Sequence, residues 1–335
     1  MSTENFISVI IPVHNGGATI GRCLEAVFAS RYTRFEVIVV DDRSTDNSLE
    51  IIGRYPCRLV RLEDHAGASA ARNAGARQST GEYLFFIDAD CVLLVDTLSR
   101  VNSALAGAGT AVVGGTYTPL PFDSGFFSAF QSVFIHYSET KRMPPDYIAT
   151  HALAVQADIF RRTGGFTEEF LPILEDVEFS HRLRNQGVQL IMDPGIQVRH
   201  IFNFTLARSL RNAFRKSRYW TVYSLGAGDL LSDSGTASHE LKANGIAFLL
   251  SAGLSFSALA AGSPQFLLPL PLFLAVNLWM NRPLLAAFAD AGGPFFAARA
   301  ALYYLTLYPA AVLAGACTGL LQHLRPAITT RGARV

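Results

Sequence analysis

Tyr83-Leu84-Phe85-Phe86-Ile87-Asp88-Ala89-Asp90 is an apolar run that ends in two aspartates one residue apart. A short apolar run of this kind reads as a buried strand. Asp88 and Asp90 then emerge at its carboxyl end, where open α/β sheets collect ligands. Two carboxylates placed there suit a hard divalent cation, which in turn suits a diphosphate. Standing alone, an Asp-x-Asp pair reads as a solvated turn, so the flanking chain decides.

Upstream, residues 6–13 form a second apolar, β-branched run, closed by His14-Asn15-Gly16-Gly17. Residues 20–28 carry apolar positions at helical spacing, and residues 35–40 form another buried run that ends in Asp41-Asp42. Ser44, Thr45 and Asp46 supply caps for a helix through residue 52. A strand over 58–62, a small-residue helix over 66–78, a helix over 94–105 and a strand over 111–113 complete the alternation. This βαβαβ order predicts an α/β fold with a mostly parallel sheet flanked by helices. Asn15, Asp42, Asp88 and Asp90 all lie just past strand ends, so the topology converges them on one edge of the sheet. The glycine-rich dinucleotide fingerprint does not follow the first strand, and G-x-x-x-x-G-K-[ST] occurs nowhere.

Composition splits the chain of 335 residues. Residues 241–335 hold six Lys or Arg and one acidic residue, leaving 22 basic against 26 acidic residues before them. The first part reads as a mildly acidic domain without the basic field of a nucleic-acid binder. The four cysteines, at 23, 57, 91 and 317, show no metal-ligand or Cys-x-x-Cys spacing, which fits a reducing compartment. The first apolar run follows an acidic start and is too short for a signal peptide, so the expectation is a cytoplasmic amino terminus.

Taken in order, VIIPVHN (9–15), VVDDRSTD (39–46), ARNAG (71–75), FIDAD (86–90), GGF (164–166) and LEDVEFSHRLRNQG (174–187) resemble family 2 glycosyltransferases of the GT-A fold. The resemblance spans about the first 200 residues. It implies an inverting, metal-dependent transfer from a nucleotide-sugar, a UDP-sugar first among donors, to a saccharide or polyprenyl-linked acceptor. Asp42 would accept a hydrogen bond from the base, a task suited to a carboxylate. Pro12 and Asn15 would shape the loop under the nucleoside, and Arg72 would lie near the phosphates, where a guanidinium can hold two oxygens; its bland reading is a surface arginine paired with an acid. Asp88 and Asp90 would hold Mn2+ or Mg2+, with His200 completing the metal site and, as an imidazole, favouring Mn2+. Asp176 would be the catalytic base, with Glu175 or Glu178 able to take its place if the helix is rotated. The glycines at 164 and 165 would let backbone approach a sugar and Phe166 would wall it, unless the segment is a turn packed by one aromatic. His151, within a segment that meets donor sugar or acceptor in the family, carries little weight because a lone histidine is more often structural. The Q-x-x-R-W of processive members is not matched by Arg215 to Trp220, which implies one sugar per encounter. A non-catalytic nucleotide-sugar-binding scaffold is the alternative of a different class.

The last part has the composition of a membrane anchor. Residues 245–262 and 300–321 are uncharged over lengths that reach a bilayer span, and 265–280 is a shorter stretch with Pro269 and Pro271. Residues 199–218 hold six Lys or Arg and no acid, interleaved with phenylalanine and leucine. They suit an interfacial segment facing anionic headgroups and tethering a catalytic domain to the cytoplasmic face. The expected order is a GT-A domain over 1–200, a basic amphipathic connector over 201–240 and a hydrophobic helical anchor of two or three spans over 241–335. That order places the protein in the inner membrane, with membrane lipids as partners and no nucleic acid. The basic tail residues Arg325, Arg331 and Arg334 also favour the cytoplasm, which three full spans would oppose.

Overall fold

A computed structural model describes residues 4–109, 111–168 and 172–324. The chain divides into two compact units, Met1–Asn203 and Phe204–Val335.

The first unit contains, in chain order, β1 (Ile7–Val13), α1 (Ile20–Phe28), β2 (Phe35–Asp41), α2 (Ser48–Ile52), β3 (Arg58–Arg61), α3 (Ala68–Gln78), β4 (Tyr83–Phe86), β5 (Cys91–Leu93), α4 (Thr97–Ala108), β6 (Ala111–Tyr117) and α5 (Phe126–Thr140). A 3-10 turn (Thr150–Ala152), β7 (Leu153–Gln156), α6 (Ala157–Arg162), α7 (Glu175–Asn185) and β8 (Gln189–His200) follow. The strands form one sheet in the order β3-β2-β1-β4-β7-β6-β8-β5. The expected parallel block is present over β3-β2-β1-β4, and the remainder is mixed, because β4 and β6 both pair antiparallel with β7 and β5 pairs antiparallel with β8.

Register explains what meets at the sheet edge. Val13 pairs with Asp41 and Ile10 with Phe86, so the loops after β1, β2 and β4 leave the same edge. The chain goes from β1 outward through β2 to β3 and then returns to β4 on the other side of β1, a topological switch point. The antiparallel pairing of Phe86 with Leu153 returns the 3-10 turn before β7 to that edge, and the pairing of Cys91 with His200 delivers His200 beside Asp90. Underneath, Ile10, Leu84, Phe86, Val112, Phe160, Phe166 and Phe179 belong to one buried cluster. On α3, Ala71 and Ala74 pack on Ile38 and Val40, and a Cβ at Gly75 would lie 2.5 Å from Ile10 Cγ2. The small residues of ARNAG therefore let the helix lie close on the sheet.

The second unit holds α8 (Leu206–Ala227), α9 (His239–Ala261), a 3-10 turn (Pro264–Leu267), α10 (Leu270–Met280), α11 (Arg282–Leu305) and α12 (Leu307–Leu324). Gly315 and Gly319, one turn apart, allow α12 to lie directly on α8: a Cβ at either would come within 2.3 and 2.4 Å of the Phe214 and Arg218 carbonyl oxygens. Ser217 donates to the Val312 carbonyl at 2.7 Å, and Arg208, Arg211, Arg215 and Lys216 are exposed on α8. Among the described residues, two helical stretches are long and apolar enough to cross a membrane, 239–261 and 282–324. The expectation of one helix over 300–321 needs correction, since α11 gives way to α12 at Thr306 (φ −119°, ψ −78°). Pro309 has no N–H to offer the carbonyl of Leu305, which accounts for the break. A second break within α11 falls at Gly293 (φ 78°), just before Pro294. Arg325, Arg331 and Arg334 lie outside the described residues.

Candidate active site

Two loops form one side of the site. Asn15, in a left-handed conformation (φ 53°), accepts the Thr45 N–H at 2.8 Å on Oδ1 and donates its own N–H to Ser44 Oγ at 2.9 Å. Asp46 accepts the Gly17 N–H at 2.9 Å and the Ser48 N–H at 3.0 Å, so the loops after β1 and β2 are clamped together. Pro12 lies within β1, opposite Val40. Asp41 accepts the Ser44 N–H at 3.1 Å and has the turn-forming part. Asp42 is buried, and its two oxygens accept the Ala66 and Gly67 N–H groups at 2.7 and 2.8 Å. It thereby fixes the loop that leads into α3. His65 Nδ1 lies 2.9 Å from Asp42 Oδ2, His14 Nδ1 lies 2.7 Å from the Asp42 carbonyl oxygen, and the two exposed rings are 4.2 Å apart. Sequence reasoning singled out neither histidine; their positions immediately beside the strand-end motifs were the available signal.

The other side is acidic. Arg72, expected either at phosphates or on the surface, is buried and spans two acids, donating to Asp88 Oδ1 and to Glu175 Oε1 at 2.6 Å each. The guanidinium fork is a strut between the end of β4 and the start of α7. Removal from water works against the charge of Asp88, yet Arg72, then His151 and His200, hold its carboxyl below the usual range. Asp90 is pushed the other way, up to about 7, by desolvation and by the charge of Asp88. Its Oδ1 is inaccessible and meets no hydrogen-bond donor among the described residues, and His200 Nε2 lies 3.4 Å from it. His200 is stacked on Phe202 at 3.9 Å, with the edge of Tyr117 at 5.1 Å.

Asp176, Glu175 and Glu178 have different surroundings. Glu175 is committed to Arg72, and Glu178 accepts from Arg182 at 2.8 Å and from Thr167 at 2.9 Å. Among the described residues Asp176 accepts backbone N–H groups, from Val177 at 2.9 Å and Thr150 at 3.4 Å. Desolvation and the neighbouring Glu175 raise its carboxyl to about 7, against the pull of Arg72. Of the three, Asp176 has the surroundings of a group that exchanges protons near neutrality. Leu174, immediately before this helix, has a left-handed backbone (φ 79°), an uncommon state for a bulky side chain that turns Glu175 and Asp176 into place.

For the segment at 164–166 the alternative reading, a turn packed by one aromatic, is the one found. Phe166 is no wall for a sugar: it is 2 % exposed and packs among Phe86, Phe160 and Phe179. Its loop, with Gly164 and Gly165 at positive φ, is pinned by Asn73, which accepts the Phe166 N–H at 2.9 Å and donates to the Phe166 carbonyl at 2.7 Å. His151 fits the structural reading, being buried, 3.4 Å from Glu139 and stacked on Tyr117 at 3.9 Å.

The donor set at the end of β4 fits a divalent cation. Carboxylate oxygens of Asp88 and Asp90 lie within 4.8 Å of one another and of Cys91 Sγ, and the donorless Asp90 Oδ1 calls for a positive partner. Burial and the two aspartates push the Cys91 thiol well up, so without a cation it stays protonated.

Residues 8–163 match the family described as Glycosyl transferase family 2. Glycosyltransferase AglE of Haloferax volcanii is 33% identical over 200 residues, covering 56% of this chain and 64% of its own length. An uncharacterized glycosyltransferase of Escherichia coli, YibD, is 42% identical over 94 residues, 27% of each chain. The chain thus spans less than two thirds of the length of these relatives. Among solved structures, the mannosyltransferase PcManGT from Pyrobaculum calidifontis in complex with GDP-Man and Mn2+ superposes with a TM-score of 0.60 at 19% identity. That match covers 96% of this chain and 88% of that chain, and it shows a shared fold.

Proposed function

We propose, on the premise that residues 8–163 match glycosyl transferase family 2, that the chain is an inverting, metal-dependent glycosyltransferase that uses a nucleotide-sugar donor. The observation that carries this reading is the placement of Asp88, Asp90 and Asp176 around one sheet edge, with Asp90 Oδ1 lacking a donor. Asp88, Asp90 and His200 would hold Mn2+ or Mg2+, and when bound the ion supplies positive charge for the departing nucleoside diphosphate. Asp42 receives an N–H of the donor base on the lone pairs that Ala66 and Gly67 leave open. Asn15 and Pro12 keep the adjoining loop in shape. Arg72 acts by holding Asp88 and Glu175 in register, so its effect on the phosphates runs through Asp88.

Asp176 accepts the proton of an acceptor hydroxyl as the oxygen attacks the anomeric carbon, and the C–O bond to the diphosphate breaks on the opposite face. With a phosphate acceptor no proton needs removing, and Asp176 positions the reactants instead. The second unit supports a membrane location, since its apolar helices keep Leu249, Phe256, Leu259, Trp279 and Phe295 exposed, whereas a soluble core would bury them. The exposed arginines of α8 suit anionic headgroups at the cytoplasmic face. A saccharide or polyprenyl-linked acceptor in polysaccharide or glycolipid synthesis follows from that location. The test is nucleoside diphosphate release from a panel of UDP- and GDP-sugars with and without Mn2+. Release that depends on the metal and on Asp90 is expected; release that ignores both contradicts the proposal.

A further inference from the structure

Glu139 is a buried acid on α5, 8% exposed, outside the set of residues that meet donor or acceptor. Its Oε2 accepts from Thr116 Oγ1 at 2.7 Å and lies 3.4 Å from His151 Nε2. A carboxylate taken out of water needs donors and a compensating charge. Thr116 supplies a neutral donor, and His151 supplies a cation when protonated. The face of the His151 ring lies on Tyr117, with 3.9 Å between centroids and 24° between planes. Among the described residues His151 Nε2 meets no hydrogen-bond partner, so Glu139 holds the imidazole by charge at 3.4 Å while Tyr117 holds it across its face.

The backbone carries this order to the reacting group. His151 is the middle residue of the turn Thr150–Ala152, and the Thr150 N–H donates to Asp176 Oδ2. At 3.4 Å that contact is longer than an ordinary N–H···O hydrogen bond, so a small displacement of the turn removes it. The Val177 N–H holds the other oxygen at 2.9 Å. Only with both contacts in place is the carboxylate fixed about its own axis.

We propose that Glu139 and His151 are positioning residues for Asp176: their pairing locks the turn at 150–152 and so keeps the Thr150 N–H on Asp176 Oδ2. The kinetic part of this inference rests on Asp176 being the base, and the positioning part does not. Tyr117 belongs to the same device, since its edge also meets His200, 5.1 Å away.

Hydrogen exchange on the full chain tests the positioning directly, without a substrate. Glu139→Gln keeps an acceptor for Thr116 and removes the charge, and His151→Phe keeps an aromatic ring against Tyr117 and removes the pairing. Both should speed exchange of the Thr150 amide about tenfold or more, while Glu139→Asp should restore most of the protection. Unchanged exchange at Thr150 in both variants overturns the proposal. In nucleoside diphosphate release with water as acceptor, Glu139→Gln should lower kcat about tenfold at constant donor KM. It should cost nothing further in an Asp176→Asn background, and a second full loss there means that Glu139 acts elsewhere. Full activity of Asp176→Asn alone would instead remove the base assignment and leave the exchange experiment to judge the turn.

Discussion

Asp42 and Asp90 are both strand-end aspartates on one sheet edge, yet their surroundings are opposite. Asp42 has a backbone N–H on each oxygen, whereas Asp90 has an oxygen with no donor and a carboxyl raised to about 7. The difference separates recognition from charge handling. A carboxylate with fixed donors is a rigid acceptor that can read an N–H, and a crowded carboxylate with a donorless oxygen is a place for a cation.

The largest effect should come from Asp90. Asp90→Ala should reduce metal-dependent nucleoside diphosphate release about a hundredfold or more, and activity within a few fold of wild type would erase the contrast between the two aspartates. Asp176→Asn comes next, with a loss of roughly a hundredfold in kcat and unchanged donor affinity. Because Asp176 must be ionised to accept a proton and its carboxyl sits at about 7, wild-type kcat should fall about tenfold per pH unit below that point. A flat profile from neutral to mildly acid pH speaks against Asp176 as the base. Asp42→Ala should act on binding instead, raising donor KM about tenfold and loosening the loop at 65–67. If kcat falls while KM holds, Asp42 is misassigned.

The smallest effect is on stability. A folded-state carboxyl raised above its unfolded value favours the protonated form, so its contribution is most favourable at low pH and is lost as pH rises through about 7. Metal-free Asp90→Asn should therefore unfold at a higher temperature than wild type at neutral and mildly alkaline pH, with the gain vanishing at acid pH. The Asp90 side chain is 40% exposed, so solvent screens part of this and the shift should be a few degrees at most. An Asp90→Asn protein less stable than wild type at alkaline pH would make Asp90 a structural partner, like Asp42.

The parallel half of the sheet was readable because β1, β2 and β4 are continuous apolar runs with polar residues at their ends. What escaped was the antiparallel pairing, together with β5, β7 and the full length of β8. β5 is three residues long and follows Asp90 directly, and β8 contains Pro194 and Gly195, so neither has a clean strand pattern. His151 enters the site through the pairing of β7 with β4, a long-range event that no local spacing records. Arg72 was placed on the correct helix, but its burial between two acids 16 and 103 residues away was not legible. In the second unit, hydropathy marked the apolar stretches and could not see the break at Thr306, which depends on a missing N–H rather than on polarity.

The most direct test of the account is thermal unfolding of the full chain with Mn2+, with a nucleotide-sugar, and with both together. Wild type should be stabilised most by the pair, and Asp90→Ala should lose the part that requires both ligands. Equal stabilisation of wild type and Asp90→Ala by the pair, or stabilisation that survives a chelator, would contradict the cation and diphosphate site at the end of β4.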